Sequence, residues 1–493
     1  MGSENTTHPN VALAPEHRSA LVYFLALLSM GAAYALAPFV NDKPLVLGAA
    51  VVFPIFLIAL LGVPAFQCLP FGSRALLALL ALRPLVDLSQ AFQTVSAGGS
   101  LVSTSGLSLQ EGFAALFILL LLGVWIREGH HRLLTNVPNI LLTALLGFTS
   151  VSWVIGGLSE GVRGFARTAW GLAVALLLGS LFRSARQVDI FVRTVFYSSI
   201  LILITLGASL GRGFAGTASD PLWRLGGQYG TPNALAGVAL SFFLYGLYTI
   251  GRARTPLDKL LSLSLLLLLS AVIVSTQSRT VGALMLMSVC IFLWASRRRR
   301  LLFALTVPLL FFLFLSTAGT RWRLISSFFT NKEIDPDVLT LQGRVLLWGE
   351  WMKNYMDANL FHKLFGLGWG VMLHDFLAMA FPTASVTESS FLWFLVGTGG
   401  LGLLTFCAYL LWVFFKSWSA WRRASSDFEK QFALLAFLAV ICFVIEGFTT
   451  DVASAPNADV YIFAILSIFA FQYLRRNGWL RSMDGVYRTP GLN

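Results

Sequence analysis

The chain is 493 residues long, 57% hydrophobic and only 12% charged, with a mean hydropathy of +0.76. A water-soluble domain of this size cannot bury that much apolar surface, so a globular soluble enzyme is excluded and a multi-pass membrane protein is expected. The formal net charge of +12 does not point to nucleic acid, because the Lys and Arg residues sit in short turns beside apolar runs, where topology and anionic headgroups account for them.

From the N-terminus, residues 1–19 read as a cytoplasmic tail. Its Met-Gly-Ser start is similar to a myristoylation signal, but a soluble tail is the simpler reading ahead of a polytopic bundle. The run that begins near Leu21 is too long for a cleavable signal peptide. Apolar runs of about 17–25 residues can each cross a bilayer core as a helix. They begin near Ala20, Leu45, Arg74, Glu111, Val137, Phe165, Ile190, Ala234, Leu257, Thr280 and Leu301, which makes a bundle of about eleven helices over residues 20–317. Residues 318–388 hold no run of membrane length and gather Arg321, Arg323, Arg344, His362, His374 and Glu388. Short helices are expected there over 345–355 and 376–381. Further spans begin near Ser389, Gln431 and Asp459 and fill residues 389–474, and residues 475–493 form a second tail. The expected fold class is an all-α polytopic membrane protein with about 12–14 transmembrane helices and one large loop.

Charge orients these spans, since Lys and Arg favour the cytoplasmic side. If odd spans run outward, one side collects Arg127 and Arg132; Arg183, Arg186 and Arg193; Arg252, Arg254 and Lys259; Arg297 to Arg300; Lys416, Arg422, Arg423 and Lys430; and Arg475, Arg476 and Arg481. Both termini are then cytoplasmic and the loop 318–388 faces outside, beside the Gly-, Ser- and Thr-rich loops around Ala97, Gly156, Gly213 and Ala453.

Five arginines break the rule. Arg163 and Arg167 lie at the outer mouth of the sixth span, Arg212 and Arg224 lie in the loop before the eighth, and Arg279 lies in the short polar junction Ser275 to Thr280. A charge near membrane depth costs several kcal/mol unless it is paired or lines a wet cavity. Singly, each can reach headgroups or pair with an acid such as Asp220 or Glu160. As a set on one face they predict an anion site, because the guanidinium fork binds phosphate bidentately and stays charged.

Other groups carry weaker signals. Cys68, Cys290, Cys407 and Cys442 fall in or beside spans without CxxC spacing and read as structural thiols. Arg83 and Asp87 share a helix face at i, i+4 and read as a buried bridge. Glu446, with Asp451 and Asp459 beyond it, is positioned to line a groove. Trp348, Trp351 and Trp369 either pack the loop or stack on sugar rings.

The outer face also carries motifs that resemble a known family. The segment Arg224-Leu225-Gly226-Gly227 through Pro232-Asn233-Ala234-Leu235-Ala236 resembles the Arg-x-x-Gly…Pro-Asn-x-x-Ala signature of bacterial O-antigen ligases and O-antigen polymerases. Ser278-Arg279-Thr280 is similar to the Ser-Arg-small motif of that family. Gly343-Arg344 with Trp348, then Leu364 to Gly368, resembles the first half of its outer loop, and Glu388 to Leu392 with Gly397 to Gly402 the second. The resemblance covers roughly residues 211–404.

It implies a GT-C-type glycosyltransferase in a bacterial inner membrane with a large periplasmic loop and neither metal nor cofactor. The implied donor is an undecaprenyl-pyrophosphate-linked glycan and the acceptor a glycan or lipid, with membrane lipids and other polysaccharide-assembly proteins as further partners. Arg224 and Arg279 correspond to the arginines that hold the pyrophosphate, which fits a leaving group that develops charge. The close acid pair Asp335 and Asp337 has no obvious further ligands for magnesium. Arg344, Arg163, Arg167, Asn233, His362, His374 and Trp348 are further candidates for substrate binding. Where the ligases carry His, this chain has Glu388, either a general base for the acceptor hydroxyl or a first-turn acid of the following helix; His362 and His374 are the alternative bases. The Glu tilts the expectation from ligase to polymerase. A lipid-linked oligosaccharide flippase is the reading from another class, and it should show internal repeats and charged mid-membrane helices in both halves.

Overall fold

The computed structural model describes residues 136–157, 162–182, 184–203, 206, 232–276, 278–296, 344–369, 389–449 and 459–476, with scattered positions over 69–84 and 119–126. Among them every regular element is a helix. In chain order these are α1 (Val137–Ile155), α2 (Val162–Leu181), α3 (Ala185–Ser198), α4 (Pro232–Arg252), α5 (Pro256–Ser275), α6 (Arg279–Ala295), α7 (Arg344–Asp357), α8 (Leu360–Phe365), α9 (Ser390–Arg423), α10 (Asp427–Thr449) and α11 (Asp459–Arg476). Helices α1, α4, α5, α9 and α10 are long and apolar enough to cross a membrane, and α2, α6 and α11 hold shorter apolar cores. The chain is an all-α multi-pass membrane protein.

Nine expected spans, those beginning near Val137, Phe165, Ile190, Ala234, Leu257, Thr280, Ser389, Gln431 and Asp459, each start within about five residues of an observed helix. Those near Ala20, Leu45 and Leu301 lie outside the described residues, and those near Arg74 and Glu111 are described only in part. Local chemistry sets the boundaries. Ser184 and Gln187 form a reciprocal capping box before α3, and the Thr255 hydroxyl accepts from the Asp258 N–H ahead of Pro256. In the loop, α7 matches the helix expected over 345–355, while the one expected over 376–381 lies outside the described residues.

Consecutive spans alternate in direction. Trp153 near the end of α1 stacks on Phe165 near the start of α2 at 4.6 Å. Phe391 at the start of α9 stacks on Phe448 at the end of α10 at 4.3 Å. Gly251 and Phe292, both near C-terminal ends, make α4 and α6 parallel, and Ser288 of α6 meets Cys442 of α10 at 3.4 Å. Trp393 of α9 donates its indole N–H to Thr168 of α2 at 3.0 Å. The starts of α2, α4, α6 and α9 and the ends of α1 and α10 therefore share one end of the bundle, called here the mouth.

A charge cluster fastens the other end. Arg193 Nε lies 2.9 Å from Asp189 Oδ2, Arg252 Nε lies 3.6 Å from Asp189 Oδ1, and Arg193 Nη1 lies 3.6 Å from Asp258 Oδ2. The Tyr248 hydroxyl donates to Asp189 at 2.9 Å, and Arg193 donates to the Arg252 carbonyl at 3.2 Å. Two arginines balance two aspartates from three helices, so the partly buried charges are paired as a low-dielectric setting requires.

Candidate functional site

The mouth is built from helix termini. Helix α5 ends at Ser275 and α6 begins at Arg279, so three residues turn the chain. The Thr276 hydroxyl donates to the Ile273 carbonyl at 2.6 Å and accepts from the Ser278 N–H at 3.3 Å, which pins that turn. Ser278 is buried at the N-cap of α6, yet its side chain makes no capping bond. The first-turn N–H groups of α6 are therefore not capped by the Ser278 side chain, and a helix N-terminus attracts anions through such donors and its dipole. Arg279 is the first residue of this helix and is exposed. An always-charged fork at a helix N-terminus is an arrangement suited to an anion with several oxygens.

The second part of the mouth is a latch between the loop and α9. After α8 the chain passes through Gly366 and Gly368, both at φ +93°, and α9 breaks at Gly399, φ +73° and ψ −176°. These backbone states are open to glycine and costly for residues with a Cβ. A Cβ on Gly366 would strike the backbone at Gly397, one on Gly368 the backbone of Gly156, and one on Gly399 the carbonyl of Leu364. Glycine is needed at all three because main chains touch there. Hydrogen bonds fasten the contact. Leu367 N–H donates to the Val396 carbonyl at 2.8 Å, and Trp369 donates through its backbone to Ser152 at 3.3 Å and through its indole to Thr149 at 3.0 Å. The Ser152 hydroxyl donates to the Gly397 carbonyl. The two glycine-rich stretches singled out in the sequence are thus one contact in space. Beside it the Tyr355 hydroxyl donates to the Lys363 carbonyl at 2.6 Å, and burial raises that phenol above the ordinary tyrosine pKa.

Of the residues expected in a site, Arg279 and Asn233 stand at the mouth, Asn233 half-buried in the first turn of α4. Arg163 and Arg167 fall in the first two turns of α2 at the same end, and Arg344 opens α7. Trp348 is partly buried against the core. Trp351 and Trp369 are fully buried, so for these two the packing role holds; Trp369 lies 5.0 Å from Trp393. His362 sits on α8, where the Asn359 side-chain oxygen Oδ1 accepts from its backbone N–H at 2.9 Å and lies 2.8 Å from its Nδ1. That oxygen orients the imidazole by accepting from Nδ1–H. Arg224, His374 and Glu388 lie outside the described residues.

Sequence reasoning missed two features. Arg83 is buried and stacks over the Trp170 ring at 4.8 Å, a cation–π contact between helices far apart in sequence; its expected partner Asp87 lies outside the described residues. The latch itself was foreshadowed only by its glycines. Cys290, Cys407 and Cys442 are free thiols, and Cys68 lies outside the described residues. No three His, Cys, Asp or Glu side chains among the described residues converge as metal ligands would. No family model matches the chain, and no curated protein matches it.

Proposed function

We propose that the protein is a metal-independent glycosyltransferase of GT-C architecture that polymerises a cell-surface polysaccharide from an undecaprenyl-pyrophosphate-linked saccharide, at the outer leaflet of a bacterial inner membrane. The observation that carries this reading is Arg279: an exposed residue at the start of a helix whose N-cap side chain makes no capping bond, within the Ser-Arg-small motif. It stands at the same bundle end as the Pro-Asn motif of α4 and the interlocked glycine motifs of the loop. Positive-inside bias favours placing the Asp189 end, with Arg186, Arg252, Arg254, Arg422 and Arg423, in the cytoplasm, which turns the mouth outward.

In the proposed reaction the acceptor hydroxyl oxygen attacks the anomeric carbon of the donor. The carbon–oxygen bond to the pyrophosphate breaks, the lipid pyrophosphate leaves with the electron pair, and the hydroxyl proton passes to Glu388. Arg279 and Arg224 stabilise the charge that develops on the leaving group, and preorganised donors of this kind contribute about 3–4 kcal/mol each when removed singly in other enzymes. Complementing a deletion strain tests the proposal. Arg279→Ala and Arg224→Ala should leave protein in the membrane and abolish glycan assembly, and normal polysaccharide from either variant rejects the assignment. The saccharide left in the deletion strain identifies the reaction: single repeat units mark a lost polymerase, whereas full-length chains stranded on the carrier mark a lost ligase.

A further inference from the structure

Helices α7 and α8 carry an apolar face that the described residues leave uncovered. Met356, Leu360 and Phe361 are 59%, 73% and 53% exposed, and Met352 and Leu364 extend the same strip. Met352 and Met356 share one face of α7, about a quarter turn from the buried Trp351 and Tyr355, and Leu360 and Leu364 share one face of α8. The strip is therefore no leftover of a loosely packed loop. One side of the unit is seated on α9 and α1 through the latch, and the other is apolar and open.

Depth decides what meets it. Helix α1 has 19 residues, about 28 Å at 1.5 Å per residue, against a hydrocarbon core of about 30 Å. It has no length to spare, so its last residue, Ile155, stands near the edge of that core. The unit is fixed to α1 inside this edge. Trp369 N–H bonds to Ser152, three residues before Ile155, and the Phe365 ring meets Phe148, seven residues before it, at 6.3 Å between centroids. Those offsets correspond to about 5 and 10 Å along the helix. The helices that hold the unit also expose apolar side chains of the kind a spanning helix turns to lipid: Val151 and Val154 of α1, and Leu404 of α9 just past the kink.

We infer that α7 and α8 form an amphipathic shelf whose apolar strip lies in the lipid leaflet at the mouth, at the boundary between headgroups and acyl chains. A depth of about 5–10 Å is that of interfacial helices generally. Lys353, exposed between Met352 and Met356, reaches back to the headgroups by its long stem. The shelf accounts for a large exposed apolar strip in a segment too polar to span, and it stands whether or not the chain transfers sugars. If it does, the shelf holds the latch at headgroup depth, which is where the diphosphate of a lipid carrier lies.

The test uses the full chain in lipid nanodiscs, with a fluorescent dansyl amino acid placed singly at 356, 360, 361, 353 or 357. These positions are exposed, and only at 361 does the probe replace a ring contact, that of Phe361 with Phe365 and His362. Lipids brominated near the headgroup end of the acyl chain should remove most of the emission at 356, 360 and 361 and little at 353 and 357, and aqueous iodide should show the reverse. Iodide quenching at 360 and 361 equal to that at 353 places the strip in water and overturns the inference. Protection of 360 and 361 from both quenchers overturns it as well, since the strip is then covered by protein.

Discussion

A single methyl group at Gly399 should loosen the loop from the bundle. In the Gly399→Ala variant the alanine must hold φ +73° and ψ −176°, a region that costs a side-chain-bearing residue about 1–3 kcal/mol. Its Cβ also faces the Leu364 carbonyl and the Gly366 amide, which are backbone atoms and cannot swing aside. The alternative is to release the turn. That forfeits the bonds from Leu367 to Val396 and from Trp369 to Ser152 and Thr149, each contributing about 1 kcal/mol net, and exposes Trp369, whose burial is worth a further 3–5 kcal/mol or so. The strain alone makes opening of the loop easier by about 2 kcal/mol, and the close backbone contacts add to it as the turn shifts. Hydrogen exchange across residues 364–369 should then quicken by at least about 30-fold. Gly349→Ala is the matched control. Gly349 is helical and exposed, and an added Cβ meets nothing within 4 Å, so the same change should stabilise α7 by about 0.5–1 kcal/mol. Exchange over 364–369 that is the same in both variants would refute the backbone-contact account of the latch.

Trp369→Phe keeps most of the buried ring but removes the indole donor to the Thr149 carbonyl; the expected loss is about 1–2 kcal/mol, read as a lower melting temperature in detergent. Asp189→Asn leaves Arg193 and Arg252 facing each other with only Asp258 between them. At sites about a quarter exposed this should cost about 1–3 kcal/mol, and a smaller fall in melting temperature at high salt than at low salt would confirm its electrostatic origin. Arg279→Lys keeps the charge at the mouth but loses the planar fork, so glycan assembly should fall between wild type and Arg279→Ala, and assembly equal to wild type would show that a point charge suffices.

The spans were legible because a bilayer imposes its own ruler. About twenty apolar residues between polar turns have one solution, and observed starts such as Val137 and Asp459 coincide with the expected ones. Exposed arginine at a helix start was legible too, since Arg279 stands in a junction too short to hide it. Helix α8 was not, because six residues hold less than two turns and give no period to detect. The latch was hidden for a different reason. Leu364 to Trp369 and Val396 to Gly399 are local stretches whose meaning is a backbone contact between them, and glycine in sequence records only that something must come close. The same ignorance of partners left the tryptophans ambiguous. Trp369 reads equally as a sugar platform or a core residue until Trp393 and the carbonyl of Thr149 are found against it.

The latch also bears on where chemistry in the loop can act. Trp369 is held beside Trp393, and Ser389, the N-cap of α9, donates its hydroxyl to the Gly447 carbonyl at 3.2 Å. The stretch 370–388, which carries His374 and Glu388, therefore leaves and rejoins the described fold at the first turns of one helix. Fixing both ends of a segment reduces the closure entropy of the stretch between them, and on the proposed function that stretch carries the base. Loss of the latch should then act on function in a way that general destabilisation does not. Gly399→Ala and Asp189→Asn are expected to cost similar stability at opposite ends of the bundle, but only the first loosens the anchor at Trp369. Glycan assembly that falls with Gly399→Ala and persists with Asp189→Asn, at equal amounts of membrane-inserted protein, would locate the reaction at the mouth. An equal fall in both variants would reduce the latch to a stabilising contact.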